Sequence, residues 1–422
     1  MSEWKEYYLN DVYTISSGLS KSAESFGLGF PFLSFKEVFN NFFVPKNLSE
    51  LVESTDKERL QSSIKKGDVF LTRTSETVKD LGMSCVALED YDSATFNGFT
   101  KRLRPKEAIE IVPEYAGYYF RSSKFRKEVT SMSSASTRAS LNNEMIGRLK
   151  IVLPSKIEQS SIAFVLKNLD DKIDNLRRQN ETLEEIARSI FKHWFIDFEF
   201  PNADGKPYKS SGGAMVRSEL GDIPEGWRVG KLGDVGRIIT GKTPSTQSPE
   251  LWGDNLPFIT PTDFKNYGKY ILGAERKISR LASTKFKNYI IPKNSIIVTC
   301  IGSDMGKVVK TAISCITNQQ INSIILFDNI YFHEYVFNYL KSQYRLLRNI
   351  ALGGSTMPII NKSAFSDIEI IIPSIGLLKV FENIINPLND KIISNDSLIQ
   401  TLTKTRDALL PKLMSGQLRV KE

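Results

Sequence analysis

The chain has 422 residues, 41% hydrophobic and 25% charged, which is ordinary globular composition and more than one domain's worth of length. Lys and Arg outnumber Asp and Glu by 56 to 48, a formal charge of +8 with a pI near 9.1, and that balance favours an anionic partner such as nucleic acid. Cys85, Cys300 and Cys315 lack C-x-x-C spacing, so neither a disulfide framework nor a zinc ribbon is indicated and a reducing cytoplasm fits. The longest apolar run, Ile368 to Phe381, is broken by Glu369, Pro373 and Lys379, and MSEWKEYY is no signal pattern. A soluble, cytoplasmic protein is expected.

From the first residues onward the chain repeats itself. WKEYYLNDVYTISSG from Trp4 aligns with WRVGKLGDVGRIITG from Trp227: Trp4, Leu9, Asp11, Val12, Ile15 and Gly18 recur as Trp227, Leu232, Asp234, Val235, Ile238 and Gly241, at one offset of 223. KKGDVFLT from Lys65 and IPKNSIIVT from Ile291 each read as a short apolar strand entered from a Lys-containing turn. IVLPS, ending at Ser155, returns as IIIPS, ending at Ser374. Two diverged copies of one module are expected.

After Pro154, Ser155 and Glu158 make an S-x-x-E capping box that starts a helix. A heptad follows, with Ile162, Leu169, Leu176, Leu183 and Ile190 on one position and Leu166, Ile173, Asn180, Ala187 and Trp194 on the other. The second copy keeps it: Phe381, Leu388, Asn395, Leu402 and Leu409, with Ile385, Ile392, Ile399, Arg406 and Leu413. Five heptads in both copies outweigh the blander reading of two amphipathic helices packing on their own domains. The helices are expected to pair, with Asn180, Asn395 and Arg406 costing stability and fixing register. Pro387 is expected to kink the second helix or mark its true start. FKHWFIDFEF docks the linker's start or is simply the apolar end of a helix, and the Gly/Pro/Ser-rich stretch from Pro201 to Trp227 reads as a linker that lets the second module swing round.

GRIITGKT, from Gly236 to Thr243, fits the phosphate-loop pattern G-x-x-x-x-G-K-[ST]. A working loop needs free backbone N–H groups and a helix beginning at the Lys-Thr pair, whereas here Pro244 follows at once and the first copy, VYTISSGLS, lacks both the first Gly and the Lys. Ile238 and Ile239 are therefore read as strand and Gly241 to Pro244 as a turn. FGLGF at Phe26 reads as a surface turn, NPLN at Asn386 as a helix start, and His193 and His333 have no metal-ligand spacing. No D-x-E-x-K nuclease constellation stands out. The chain does not read as catalytic.

Two modules alternating with two long helices resemble the specificity subunit of Type I restriction-modification enzymes. The residues that carry the likeness are ELGDIPEGWRVGKLGDVGRIITGKTPS from Glu219, NQQINSII from Asn318, ETLEEIARSIFKHWFIDFEF from Glu181 and TRDALLPKLMSGQLRV from Thr405. The resemblance implies an α+β fold in which two internally repeated β-rich target recognition domains are separated by two long antiparallel coiled-coil helices, with a pseudo-two-fold axis. Its expected bounds are 1–154 and 224–373 for the recognition domains, 155–198 and 374–418 for the helical spacers, and 199–223 for the linker. It further implies that each domain reads one half of a bipartite, asymmetric site in double-stranded DNA. The helices would set the unread spacer and dock two modification (methyltransferase) subunits, usually joined by motor-nuclease restriction subunits, in defence against foreign DNA. No cofactor is expected on this chain; S-adenosylmethionine, ATP and Mg2+ belong to the partners.

A helix from Ser155 to Trp194 would be about 60 Å long, enough to span more than one turn of duplex. Loops rich in basic and amide side chains supply the DNA candidates. They are Lys21, Lys36, Arg73, Lys79, Asn97, Lys101 and Arg138 in the first module, and Lys242, Thr243, Lys265, Ser303, Lys307, Gln319, Gln320 and Asn361 in the second. Asn318, Gln319 and Gln320 have the alternative role of bonding buried backbone groups. Arg177, Arg178, Glu181 and Glu184, outside the seam, are candidate partner contacts or merely solvated charges. The rival reading is a coiled-coil adaptor with two protein-binding modules and no DNA role.

Overall fold

The structure, a computed structural model, describes residues 4–132, 139–302, 305–327, 332–352 and 359–420. It divides into two compact units, Met1–Asp174 with Thr401–Glu422, and Asn175–Gln400. Each holds one copy of the repeat.

In the first unit, Tyr13–Ser17, Thr100–Pro105, Val69–Thr72 and Ser84–Val86 form an antiparallel sheet in that order. A second sheet sets Phe26–Leu33 between Leu51–Val52 and Thr95–Phe96, the latter parallel, and Lys5–Tyr8 pairs with Lys150–Leu153. The second unit repeats every part. Gly236–Thr240, Ile321–Leu326, Ile296–Thr299 and Val308–Thr311 make the main sheet, extended by a parallel edge strand, Tyr270–Ile271, that has no counterpart in the first. Trp252–Ile259 lies between Lys277–Ile278 and Ile316–Thr317, and Arg228–Lys231 pairs with Glu369–Ile372. The central strands VFLT and IIVT are buried at every residue, which is why they read as unbroken apolar runs rather than alternating ones. The three cysteines are free and buried.

Two long helices, α1 (Lys156–Phe191) and α2 (Ile375–Met414), follow the two copies. α2 runs through Pro387 and begins at Ile375, so the proline does not mark its start; Pro387, which has no N–H to offer the Asn383 carbonyl, and Asn383 both face solvent. The capping box at Ser155 is half formed. Ser155 Oγ accepts from Glu158 N at 3.2 Å, but the Glu158 carboxylate turns away to accept from Trp4 Nε1 at 3.1 Å and Arg419 Nη2 at 2.8 Å. A charge-assisted pair in a buried spot outcompetes the local cap.

Within each unit the helices run antiparallel. In the first, Ile162 and Leu166 share a core with Leu413 and Met414, and Asp170 accepts from Arg406 Nη1 and from the Tyr118 hydroxyl, each at 2.6 Å. In the second, Ala187, Phe191 and Trp194 pack with Leu378, Phe381 and Ile385, and Asn180 meets Asn395. Leu176 and Ile392 are buried; Leu169, Leu183, Ile190, Ile399, Leu402 and Leu409 are half-buried.

The aromatic stretch after α1 is core. Phe195 packs edge-on against Tyr335 and Phe381 at 4.8 and 5.0 Å between centroids, and Phe200 stacks on Tyr208 and Trp227 at 4.5 and 5.2 Å. The segment expected to be a swinging linker is therefore built: Tyr208 and Trp227 pin it, and Met215–Ser218 pairs with Gly221–Pro224 in a hairpin. The same unit buries an ionic cluster. Lys269 Nζ donates to Glu334 Oε2 at 2.5 Å and Asn389 Oδ1 at 2.6 Å, Lys310 pairs with the other Glu334 oxygen, and Glu334 N donates to Glu382. Burial alone would raise Glu334, but Lys310 and Lys269 outweigh it and hold the carboxyl below its ordinary range. At Glu382 the same lysines are outweighed: burial, and then the Glu334 charge, push it up to about 7.

Candidate nucleic-acid interface

Each main sheet carries the same turn at one end, and one backbone bond recurs at equivalent positions: Leu19 N donates to Phe96 O at 2.8 Å in the first module and Lys242 N to Thr317 O at 2.8 Å in the second. Gly98 N adds a bond to Leu19 O at 2.8 Å in the first, and Gly241 N one to Ile321 O at 3.1 Å in the second. Gly18 and Gly241 sit where a Cβ would come within 2.3 Å of Asn97 O and 2.2 Å of Asn318 O, so only glycine fits. Asn97 Oδ1 accepts from Phe99 N at 2.7 Å and Asn318 Oδ1 from Gln320 N at 3.1 Å, each closing the turn. Thr72 Oγ1 and Thr299 Oγ1 accept from Met83 N and Lys307 N at 2.9 and 3.0 Å. The repeat extends to individual hydrogen bonds.

This geometry also disposes of the phosphate loop. The amides of Gly241 and Lys242 are already bonded, and Gly236–Thr240 is a strand, with the segment Gly241 to Ser245 after it in no helix. A phosphate would find no open nest there.

On this shared frame the side chains differ. In the first module Arg73 N donates to Phe99 O at 3.0 Å and its guanidinium lies 5.9 Å from the centroid of the exposed Phe99 ring. The equivalent backbone bond in the second runs from Cys300 N to Gln320 O at 2.8 Å, with a buried thiol where the first has Arg73. Thr243 Oγ1 donates to Gln319 Oε1 at 2.6 Å, bringing those two candidates together, and Gln320 Oε1 accepts from Asn318 Nδ2 at 2.9 Å. Lys242 is exposed, its Nζ 5.5 Å from the centroid of Tyr289.

Other candidates scatter. Lys21 pairs with Glu58 at 2.8 Å. Lys101 is buried, donating to Ser17 Oγ at 2.7 Å; burial and then the nearby Arg73 lower its pKa. Asn361 caps a helix by accepting from Ala364 N at 2.8 Å, as Asn142 does with Met145 in the first module. Lys36, Lys79 and Lys265 are exposed, each in a separate short helix, and Lys307 is half-buried. Arg138 and Ser303 lie outside the described residues. On α1, Glu184 accepts from Lys341 Nζ at 2.8 Å within its own unit, while Arg177, Arg178 and Glu181 face solvent.

The model of the Type I restriction modification DNA specificity domain matches residues 1–185 and again 224–404. The chain belongs to that family. It is similar over 99% of its length to the Type I restriction enzyme HindI specificity subunit of Haemophilus influenzae, at 29% identity and covering all of that protein. With the MjaIX specificity subunit of Methanocaldococcus jannaschii it shares 30% identity over its full length and 94% of that chain. In fold it resembles the crystal structure of the S subunit of a Type I restriction-modification system from M. genitalium, with a TM-score of 0.59, 14% identity, and coverage of 97% of this chain and 96% of that one. Among the described residues no helix is long and apolar enough to cross a membrane, and no group of His, Cys, Asp and Glu could hold a metal ion.

The candidate set, drawn from turn-like composition, left out one group of cations. Arg280, Lys285 and Lys287 are exposed on the two short helices, Arg280–Lys285 and Lys287–Tyr289, that lead to Tyr289, the ring under Lys242. The signal was present: from Arg276 to Thr299 there are six basic residues and no Asp or Glu.

Proposed function

We propose that this chain is the non-catalytic DNA-reading subunit of a Type I restriction-modification complex, each module reading one half of a bipartite, asymmetric site. One observation carries the reading: a single hydrogen-bonded frame, repeated in both modules, presents Arg73 and Phe99 in one and Lys242, Thr243 and Gln319 in the other. A fixed backbone with exchanged side chains is what two different half-sites require, because base edges are told apart by side-chain chemistry. The long helices set the unread spacer and offer their outer faces to two modification subunits. Those partners supply the S-adenosylmethionine chemistry on adenine, and restriction subunits the ATP and Mg2+.

The test is a map of N6-methyladenine in DNA from cells expressing this chain with its modification subunit, against cells lacking this chain. A new asymmetric motif split by a fixed spacer supports the reading. No new motif, with partner binding demonstrated, overturns it.

A further inference from the structure

The two modules differ in charge at one pair of equivalent helices. Both follow a hydroxyl cap and precede the central strand: Asp56–Gln61 after Thr55 in the first, Arg280–Lys285 after Ser279 in the second. In the first, every charge except Lys57 is paired internally. Glu58 accepts from Thr55 N and pairs with Lys21, whose hydrogen bond draws its carboxyl down to about 2, and Arg59 pairs with Asp56 and lies 3.7 Å over the centroid of Phe30.

The second helix has no acid at all. Arg280 occupies its first turn, where the helix dipole disfavours a cation, and among the described residues no carboxylate lies within ion-pair distance of Lys277, Arg280, Lys285 or Lys287. Four exposed cations within eleven residues, with no acid among them and one placed against the local helix preference, make a segment whose complement is a line of phosphates. Lys242, over Tyr289, joins that surface to the turn that carries Thr243 and Gln319.

We infer that the two modules grip DNA unequally: the second module's Arg280, Lys285 and Lys287 clamp backbone phosphates beside its half-site, and the equivalent helix of the first module does not. This rests on the DNA-reading function proposed above. The second half-site is then bound with the steeper salt dependence, and duplex is captured there before the first module reads its own half.

The experiment uses the full chain in complex with its modification subunits and a fluorescent duplex carrying the methylated motif, with affinity measured across a salt series. Each lost phosphate contact lowers the slope of log K against log salt by about 0.9. R280A/K285A/K287A together should flatten the slope by about 2.7, so that a fourfold rise in salt weakens this variant about 40-fold less than the parent. R280K/K285R/K287R should keep the parental slope, and Lys57→Ala on the first module's helix should leave it unchanged. If the parent binds its motif and the triple alanine variant keeps the parental slope, the clamp is overturned while the reading function stands. If the parent shows no preference for the motif, both fall.

Discussion

Asn395 donates from Nδ2 to Oδ1 of Asn180 at 2.8 Å, joining α1 and α2 in the second unit. Asn180 in turn donates to Asp396 Oδ1 at 2.7 Å. A polar pair in an apolar seam costs stability in exchange for register, since a shift by one turn would bury both amides unbonded. The two asparagines are not equivalent. Asn180→Leu leaves the Asn395 amide only its long 3.4 Å bond to Gln179 Oε1 and removes the Nδ2 bond of the partly buried Asp396, whereas Asn395→Leu leaves the Asp396 bond intact. Both should lower the thermal midpoint, with Asn180→Leu costing about 1 kcal/mol more; equal losses would contradict this assignment.

Glu382 should make the second unit sensitive to alkali. Its folded pKa of about 7 lies above the ordinary 4.5 because burial and then Glu334 disfavour the charge. Between those values the folded chain keeps a proton that the unfolded chain has released. Stability is therefore full below about pH 4.5 and declines as pH rises to about 7, by about 1 to 3 kcal/mol from this group. Glu382→Gln keeps an oxygen to accept from Glu334 N and removes the titration. Unfolding followed from about pH 5 to about pH 8 should show a flatter profile for this variant.

Spacer length should follow helix length, provided both helices change together. Because Asn180 faces Asn395 and Asp170 faces Arg406, residues added to one helix alone would misalign the seam. One heptad inserted after Glu184 and another after Lys391 adds about 10 Å of helix, or about three base pairs at 3.4 Å each. The methylation map of such a variant should show both half-sites unchanged and the unread gap longer by about that amount. An unchanged gap would show that the helices do not measure it.

Within GRIITGKT, glycine and lysine have separable roles. Gly241→Ala forces a methyl against the Asn318 and Thr317 carbonyls and should cost about 2 to 4 kcal/mol. The exposed Lys242→Ala should change stability by less than about 0.5 kcal/mol yet weaken DNA binding. Calorimetry beside a binding titration separates the two.

The sequence by itself determined the architecture. The Trp4 and Trp227 segments, the two IVLPS-like strand ends and the paired heptads are local patterns, and local patterns are enough where a buried strand or helix stripe must be apolar. Even the polar seam positions were legible, because an Asn or Arg in a heptad stands out against its neighbours. The glycine at the end of GRIITG was visible only as part of a misleading motif, and its actual cause is the Asn318 carbonyl, 77 residues further along the chain.

Tertiary structure decided which polar groups are spent and which are offered. Composition marked Asn97, Lys101 and Asn361 as contact candidates, but folding gives each a bond of its own: a turn, Ser17, a helix cap. Glu158 left its capping box because Trp4 and Arg419 arrive from opposite ends of the chain. Phe195, ahead of the linker, found partners in Phe381 and Tyr335 that no local window contains. A side chain's free charge depends on what lies within a few ångströms of it in space, and distance along the chain says little about that.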